Sequence, residues 1–194
     1  MDLHLERLRR EIESAVASLS SEQLRWHPPG KWSTAEILEH LYLTYTGTLK
    51  GFARLVDGGK PLGSKPTWKH RAQALVVLGF NYLPKGREAP PHARPRGLPG
   101  EKVLAEIVPK ITEMDEFLAG CAAKFGRRIK VLDHPFLGPF SIDQWRKFHL
   151  VHGLHHIKQI RKLRSRMSQA AGFEPSGLTR KQNEHRGPSA RPAS

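Results

Sequence analysis

Apolar residues recur at helical spacing in four long segments of the chain. They run from Leu5 to Leu19, from Ile37 to Leu55, from Leu104 to Phe125 and from Trp145 to Met167, in steps of three and four residues. Such steps place side chains on one face of an α-helix. No comparable train of strands is indicated. The pattern predicts an all-α fold, a four-helix bundle with up-and-down neighbours and one long crossover.

Capping residues mark where these helices begin and end. Residues 2–19 form the first predicted helix, and Ser20 or Ser21 can cap a short turn after it. Ser33-Thr34-Ala35-Glu36 and Ser141-Ile142-Asp143-Gln144 both fit the capping box, in which the first and fourth residues satisfy each other's backbone donors. Asp57-Gly58-Gly59 is suited to a left-handed helix end.

The segments between and after the helices are less regular. Residues 67–80 predict a third, less regular helical segment, and the proline-rich residues 81–100 predict a surface connection. Residues 127–140 are expected to be extended or looping. The bundle domain is predicted to span residues 1–168. Residues 169–194 have little to bury and are expected to form a disordered basic tail.

Three histidines interrupt the apolar stripe of the last helix: His149, His152 and His156. A buried imidazole without a partner costs roughly 1–3 kcal/mol, so these rings need partners. His152 and His156 are one turn apart, about 40° around the helix axis, and both rings can reach one point. A divalent metal is the usual occupant of such a point. The alternative interpretation is a pair of hydrogen-bonded core histidines.

Two histidines leave a zinc-like site short of a ligand, because catalytic sites usually combine three protein ligands with an open position. His40 is the best third candidate, since it follows Ile37 by three residues and precedes the stripe residue Leu41. Helical bundles build metal sites from side chains on facing helices. The spacing alone does not establish this long-range contact.

Five other polar residues are candidates for roles around such a site. His149 is expected to line the pocket, and Gln159 shares the stripe and can hold a ligand imidazole, although a surface amide is the alternative. Glu36 can orient His40 or act as a base, although its capping role already explains it. His134 can cover the pocket or bond to backbone. His155 is expected on a flank of the helix.

Composition narrows the function classes. The formal net charge is +14, with 32 basic and 18 acidic residues, but the basic residues are dispersed and no nucleic-acid motif accompanies them. A solvated basic surface is favoured over a nucleic-acid binder. No apolar run approaches the roughly 18–20 residues of a membrane span, and no export signal is evident, which predicts a cytoplasmic protein. The single cysteine, Cys121, lies on a core stripe and is interpreted as core filler.

Two segments resemble the DinB-like/YfiT-like superfamily. KWSTAEILEHLYLTY (31–45) is similar to its second-helix signature, and DHPFLGPFSIDQWRKFHLVHGLHHIKQI (133–160) is similar to the last-helix region of one branch of unknown function. The resemblance implies a four-helix bundle that binds a divalent metal, often zinc or nickel, through three histidines. These fall on His40, His152 and His156, and the following glutamine falls on Gln159. Lys158 departs from the glycine that is common before that glutamine.

The resemblance also implies a choice of activities. One is a metal-dependent hydrolase, and another is a transferase or isomerase that uses a low-molecular-weight thiol, either one acting on a small molecule. The chain offers no other catalytic motif, such as a Gly-x-Ser-x-Gly elbow or a nucleotide loop. The alternative function is a non-catalytic metal-binding or dimerisation bundle associated with stress response. A homodimer is expected in either case, and no membrane partner.

Overall fold

The computed structural model describes residues 1–84 and 88–172 and is mostly helical, as predicted. A π-helical segment, Leu75–Gly79, continues the fourth helix, and Pro91–Ala93 form a 3₁₀ turn. Two short strands, β1 (Lys130–His134) and β2 (Gly138–Ser141), form an antiparallel pair. The α-helices are α1 (Leu3–Val16), α2 (Ser21–Arg25), α3 (Thr34–Asp57), α4 (Trp68–Ala74), α5 (Gly100–Phe125) and α6 (Ile142–Gly172).

The predicted caps fix the beginnings of three helices. Ser20 caps α2, and at the start of α3 the Ser33 hydroxyl accepts from the Glu36 N–H while the Glu36 carboxylate accepts from the Ser33 N–H. Before α6, the Ser141 hydroxyl accepts from the Gln144 N–H, and the Gln144 side-chain oxygen accepts from the Ser141 N–H. Each box satisfies backbone donors that the first turn of a helix leaves free.

Helix α6 packs against both α3 and α1, antiparallel to the first and parallel to the second. Ring contacts pair Phe52 with Trp145 and Tyr45 with His149, so α3 and α6 are antiparallel. Helix α1 is parallel to α6, because Glu11 and Ala15 contact Arg161 and Arg164 in the same order. The apolar stripes of α1, α3, α5 and α6 meet in one core, as the periodicity requires.

Helices α3 and α5 are parallel, which requires the long connection between them. The Lys110 ammonium lies 5.8 Å from the Tyr42 ring centre, and the Lys124 ammonium donates to the Val56 carbonyl at 3.4 Å. Both contacts advance along the two helices in the same sense. The predicted single long crossover therefore corresponds to residues 58–99.

The structure corrects or refines the sequence-based prediction at four places. First, the link predicted to be extended or looping contains a short hairpin over residues 130–141, in which Lys130 pairs with Ser141 and His134 with Gly138. Second, α1 ends at Val16, before the predicted end at residue 19. Third, α6 continues to Gly172, beyond the predicted end near Met167, because residues 168–171 include no glycine or proline that would end the helix. Fourth, residues 91–98 lie mostly on the surface, as predicted, but Ala93 is buried and backbone groups of residues 93 and 96–98 bond to side chains of α3. Most of the predicted tail, residues 173–194, lies outside the described residues.

None of the described helices combines the length and apolar character that crossing a bilayer requires. Pro109 lies inside α5, and Gly126, at φ +90°, follows the last residue of that helix. Cys121 is buried on the core face of α5, as predicted, and burial raises the pKa of its thiol. A buried thiol of raised pKa is a poor nucleophile.

Candidate metal centre

The antiparallel packing of α3 and α6 brings three histidines together. His40, in the second turn of α3, faces the middle of α6, where His152 and His156 are one turn apart. The His152 Nε2 atom lies 3.2 Å from Nε2 of His40 and 3.1 Å from Nε2 of His156. All three side chains are buried. The structure therefore places the two predicted α6 histidines and the predicted long-range partner at one point.

The geometry suits a divalent ion. One ring nitrogen from each histidine lies within 4.8 Å of those of the other two. Two imidazole nitrogens bound to tetrahedral zinc at about 2.0–2.1 Å would be about 3.3 Å apart, close to the two observed Nε2 separations. No backbone movement is needed to bring the rings within ligand range. The three-histidine cluster is accordingly a candidate divalent metal site.

Hydrogen bonds on the far side of two rings fix their tautomers. His40 Nδ1 lies 2.7 Å from the Ala93 carbonyl oxygen, and His156 Nδ1 lies 2.9 Å from the Gln159 side-chain oxygen. Because both partners are acceptors, we infer that each Nδ1 carries the proton and each Nε2 presents a lone pair. Such partners are typical of histidines that bind metals.

The resulting donor set favours a cation over a hydrogen-bonded triad. Two lone pairs, from His40 and His156, face the single Nε2 atom of His152. A proton on that nitrogen can bond to only one of them, which leaves the other contact as lone pair against lone pair. A divalent ion among the three nitrogens would satisfy all of them. This asymmetry argues against the alternative of a purely structural histidine cluster.

Burial keeps the three rings neutral, the form that binds a metal. Desolvation lowers the pKa of His40, lowers that of His156 to about 3, and holds the pKa of His152 well below its usual value of 6.5. The neighbouring rings add to the last two shifts through charge repulsion. Metal binding at neutral pH therefore needs no proton to be removed from these nitrogens.

Gln159 contacts a candidate ligand, and through it a further histidine. Its side-chain oxygen accepts from His156, and its amide nitrogen lies 3.2 Å from His155 Nε2. The second contact orients the amide so that its oxygen faces His156. Lys158 is exposed and lines the cleft described below. It does not interfere with the histidine cluster.

Two of the predicted surrounding residues lie elsewhere. His149 is fully buried between Trp145, Phe148 and Tyr45, and it does not line the cleft. The expectation that it lines the pocket is wrong because aromatic rings enclose that face of α6. The Glu36 carboxylate contacts the N–H and hydroxyl groups of Ser33 and lies outside the cleft. The structure therefore shows Glu36 as a capping residue and not in contact with the cleft.

The histidine cluster opens into a cleft of about 1360 Å³. Trp145, Phe148 and the π-helical residues Val76 and Val77 supply apolar walls. His134 also lines it, while its Nδ1 accepts the backbone N–H groups of residues 136 and 137. Burial lowers the pKa of His134 to about 4. The sequence reading left open whether His134 covers the pocket or bonds to backbone, and it does both.

Two contributors to the site escaped sequence analysis. The Ala93 carbonyl that orients His40 belongs to the proline-rich connection, 53 residues away. Glu39, immediately before His40, is buried and accepts the backbone N–H groups of Arg96, Gly97 and Leu98. A backbone carbonyl leaves no trace in residue type, and a glutamate within a helix is most often a surface residue. No local signal therefore identified either contact.

The comparisons with known proteins bear on the family. The model of the DinB superfamily matches residues 4–160 of the chain. This range includes all of α1 but its first residue, α2 to α5, both strands and the three clustered histidines. No curated protein and no solved structure matches the chain.

Proposed function

Because the chain belongs to the DinB superfamily, we propose that it is a divalent-metal-dependent enzyme acting on a small molecule. His40, His152 and His156 would hold the ion through their Nε2 atoms. Zinc and nickel are the proposed metals, since neutral imidazole nitrogens suit both. The observation that carries the proposal is the convergence of three neutral, buried imidazoles at the base of an open cleft.

The ion would supply Lewis acidity at an open coordination position, where water or a low-molecular-weight thiol becomes more acidic. Hydrolysis and thiol-dependent transfer both fit this chemistry. The chain's own residues have separate tasks. Ala93 and Gln159 hold the His40 and His156 rings with Nε2 toward the site. Trp145 and Phe148 restrict water at one side of the cleft and offer an apolar surface to a substrate.

Gln159 is the proposed positioning residue, and it is exposed at the edge of the cleft. Neither His149 nor Glu36 is proposed in catalysis, since one is enclosed in the core and the other is engaged at a helix cap. We also propose that the protein is a cytoplasmic homodimer. Sedimentation measurements test its dimerisation.

Metal analysis of the full chain, purified without a histidine tag, tests the proposal. The expected result is about one equivalent of zinc or nickel per chain, lost in the His152→Ala variant. His27→Ala is the matched control, because His27 is exposed, lies outside the cleft, and its ring contacts the neighbouring Pro28 carbonyl. That variant should retain the metal. Absence of tight binding when Zn²⁺ or Ni²⁺ is added to the metal-free protein would refute the site.

Substrate screening separates the two chemistries once the metal content is known. The metal-loaded protein is assayed with ester and amide substrates, and separately with electrophiles in the presence of a small thiol. Activity in either assay should disappear in His152→Ala and persist in His27→Ala. A loaded protein inactive in both assays, but with altered melting or dimer content after chelation, would favour the non-catalytic bundle.

A further inference from the structure

Basic side chains dominate the charged rim of the cleft. Of the residues that the structure describes, two acidic ones line it, and both are engaged: Asp133 accepts the Ser64 N–H, and Glu88 pairs with Arg94. Among the described residues, none of the basic side chains of the rim has an ion-pair partner. The basic residues of the rim are Lys31, Lys50, Arg54, Lys158, Lys162 and Arg166.

The second half of α6 carries cations on two sides that differ in their partners. Arg161 and Arg164, on the side toward α1, bind the Glu11 carboxylate and the Ala15 carbonyl, both at 2.7 Å. The three cations at the cleft, residues 158, 162 and 166, are spaced by four residues and have no acidic partner in the part of the chain that the structure describes. Like charges at this spacing destabilise a helix. The cleft side of α6 therefore carries a like-charge repulsion that none of the described acidic residues offsets.

The same contrast holds for α3. Lys50 and Arg54 are again four residues apart on the cleft side, with no acidic partner among the described residues. On α1 and α5, in contrast, several basic residues pair with acidic residues of the same helix, as in the Arg10–Glu6 and Lys110–Glu113 pairs. Other unpaired cations lie elsewhere on the surface of this basic chain. Those of α3 and α6 named here line the cleft that holds the histidine cluster.

From this arrangement we propose that the ligand of the cleft is a small organic anion with an apolar body. Its apolar part would lie against Trp145, Phe148 and the π-helical residues, and its negative group would face the cations of α6. An anion there removes the mutual repulsion of the lysines, and the low dielectric of the apolar wall strengthens the attraction. The inference rests on the proposed function and narrows its substrate class.

Calorimetric titration with phenylphosphonate tests the inference, with benzyl alcohol as the uncharged analogue. Metal-free protein is used first, so that direct ligation of a metal by the phosphonate does not contribute, and zinc-loaded protein second. The cleft variant is K158Q/K162Q/R166Q. The control variant, K60Q/K65Q/R128Q, removes the same charge from exposed positions outside the cleft.

The wild-type protein should bind phenylphosphonate and discriminate against benzyl alcohol. The cleft variant should bind phenylphosphonate about tenfold more weakly, and the control variant within about twofold of wild type, because each exposed charge contributes modestly at close range and little at a distance. Equal losses in the two variants, or no preference for the anion, would overturn the inference. So would tighter binding of a DNA duplex than of phenylphosphonate by the same cations.

Zinc content measured on the same samples distinguishes the two failures. Protein that holds one equivalent of zinc but shows no anion preference refutes the inference and leaves the proposed metal enzyme intact. Protein that binds no zinc refutes the proposed function, and the narrower substrate class then falls with it even where the cleft binds phenylphosphonate. Melting curves of both variants verify that the fold survives the substitutions.

Discussion

Replacing Glu39 by glutamine should weaken both the fold and the metal site. The Glu39 side chain is 1% exposed, and its carboxylate accepts three consecutive backbone N–H groups, from Arg96 at 2.7 Å and from Gly97 and Leu98 at 3.1 Å. Gly97 has a φ of +85°, which turns the successive donors toward one point. This contact ties the long crossover to α3 directly beside His40.

The magnitude follows from the hydrogen bonds lost. In the Glu39→Gln variant the amide oxygen can serve two of the three donors, whereas the amide nitrogen opposes the third. The donor left without a partner costs up to about 1–3 kcal/mol at this partly buried contact, and the two remaining bonds lose their charge assistance. We expect a loss of about 2–4 kcal/mol in unfolding free energy. For a chain of this size that corresponds to a fall of roughly 5–15 °C in Tm.

The effect should reach the metal because the same segment supplies the Ala93 carbonyl that orients His40. Loss of such an outer partner typically weakens metal binding about 10- to 100-fold. The assays are urea unfolding of the metal-free protein, followed by circular dichroism, and calorimetric titration with Zn²⁺. Each is compared with the wild-type protein at neutral pH.

Glu36→Gln is the matched control, one turn earlier on the same helix. Glu36 contacts only Ser33, and glutamine serves equally well at that position of a capping box. This variant should lose less than about 0.5 kcal/mol and keep its zinc affinity. The reasoning is refuted if Glu39→Gln matches Glu36→Gln in stability, or if it binds zinc as tightly as wild type.

Three further predictions follow from other contacts. Burial lowers the pKa of His134 to about 4 in the folded state, against about 6.5 when unfolded, so the neutral ring's contribution to stability is complete above pH 6.5 and is lost toward pH 4. His134→Asn should therefore reduce the slope with which the unfolding free energy falls over this pH range, by up to about 1.4 kcal/mol per pH unit, in urea melts of metal-free protein. A Cβ at Gly153 would lie 2.2 Å from Leu8 Cδ1, so Gly153→Ala should cost about 1–3 kcal/mol, whereas Gly120→Ala, with open space around it, should gain about 0.5–1 kcal/mol in thermal melts. Gln159→Ala should weaken zinc binding about tenfold with little change in melting of the metal-free protein, and unchanged affinity would contradict the orienting role of the amide.

Local sequence rules predicted the parts of the molecule that local physics determines. The Ser33–Glu36 and Ser141–Gln144 boxes satisfy donors within one turn, so their residue types reveal them. His152 and His156 likewise share a face through spacing alone. Residues 130–141 were expected to be extended or looping, but their pairing into a hairpin was not predicted, because the strands are four and five residues long and do not alternate cleanly in polarity.

Long-range contacts lack such a signal. His40 meets His152 only because α3 and α6 are antiparallel in a register that the whole core determines, and residue types alone do not encode that register. Its assignment from sequence needed the resemblance of residues 31–45 to a family segment. His149 shows that helical periodicity can also group residues that the fold keeps apart. It shares a stripe with the clustered histidines but is enclosed by aromatic rings, since position along the helix decides which core layer a residue enters.

The crossover between α3 and α5 is longer than is needed to join these two parallel helices, and its contacts with the histidine site account for the extra length. Helix α3 has 24 residues and is about 36 Å long, so an extended chain of about 11 residues could return along it to start the parallel α5. The connection instead spans residues 58–99. Its surplus supplies Val76 and Val77 to the cleft wall, the Ala93 carbonyl to His40, and the three donors that bind Glu39. A loop that only joined α3 to α5 would need none of these contacts, and shortening it to the topological minimum would still connect these two helices but would remove α4 and the support of His40.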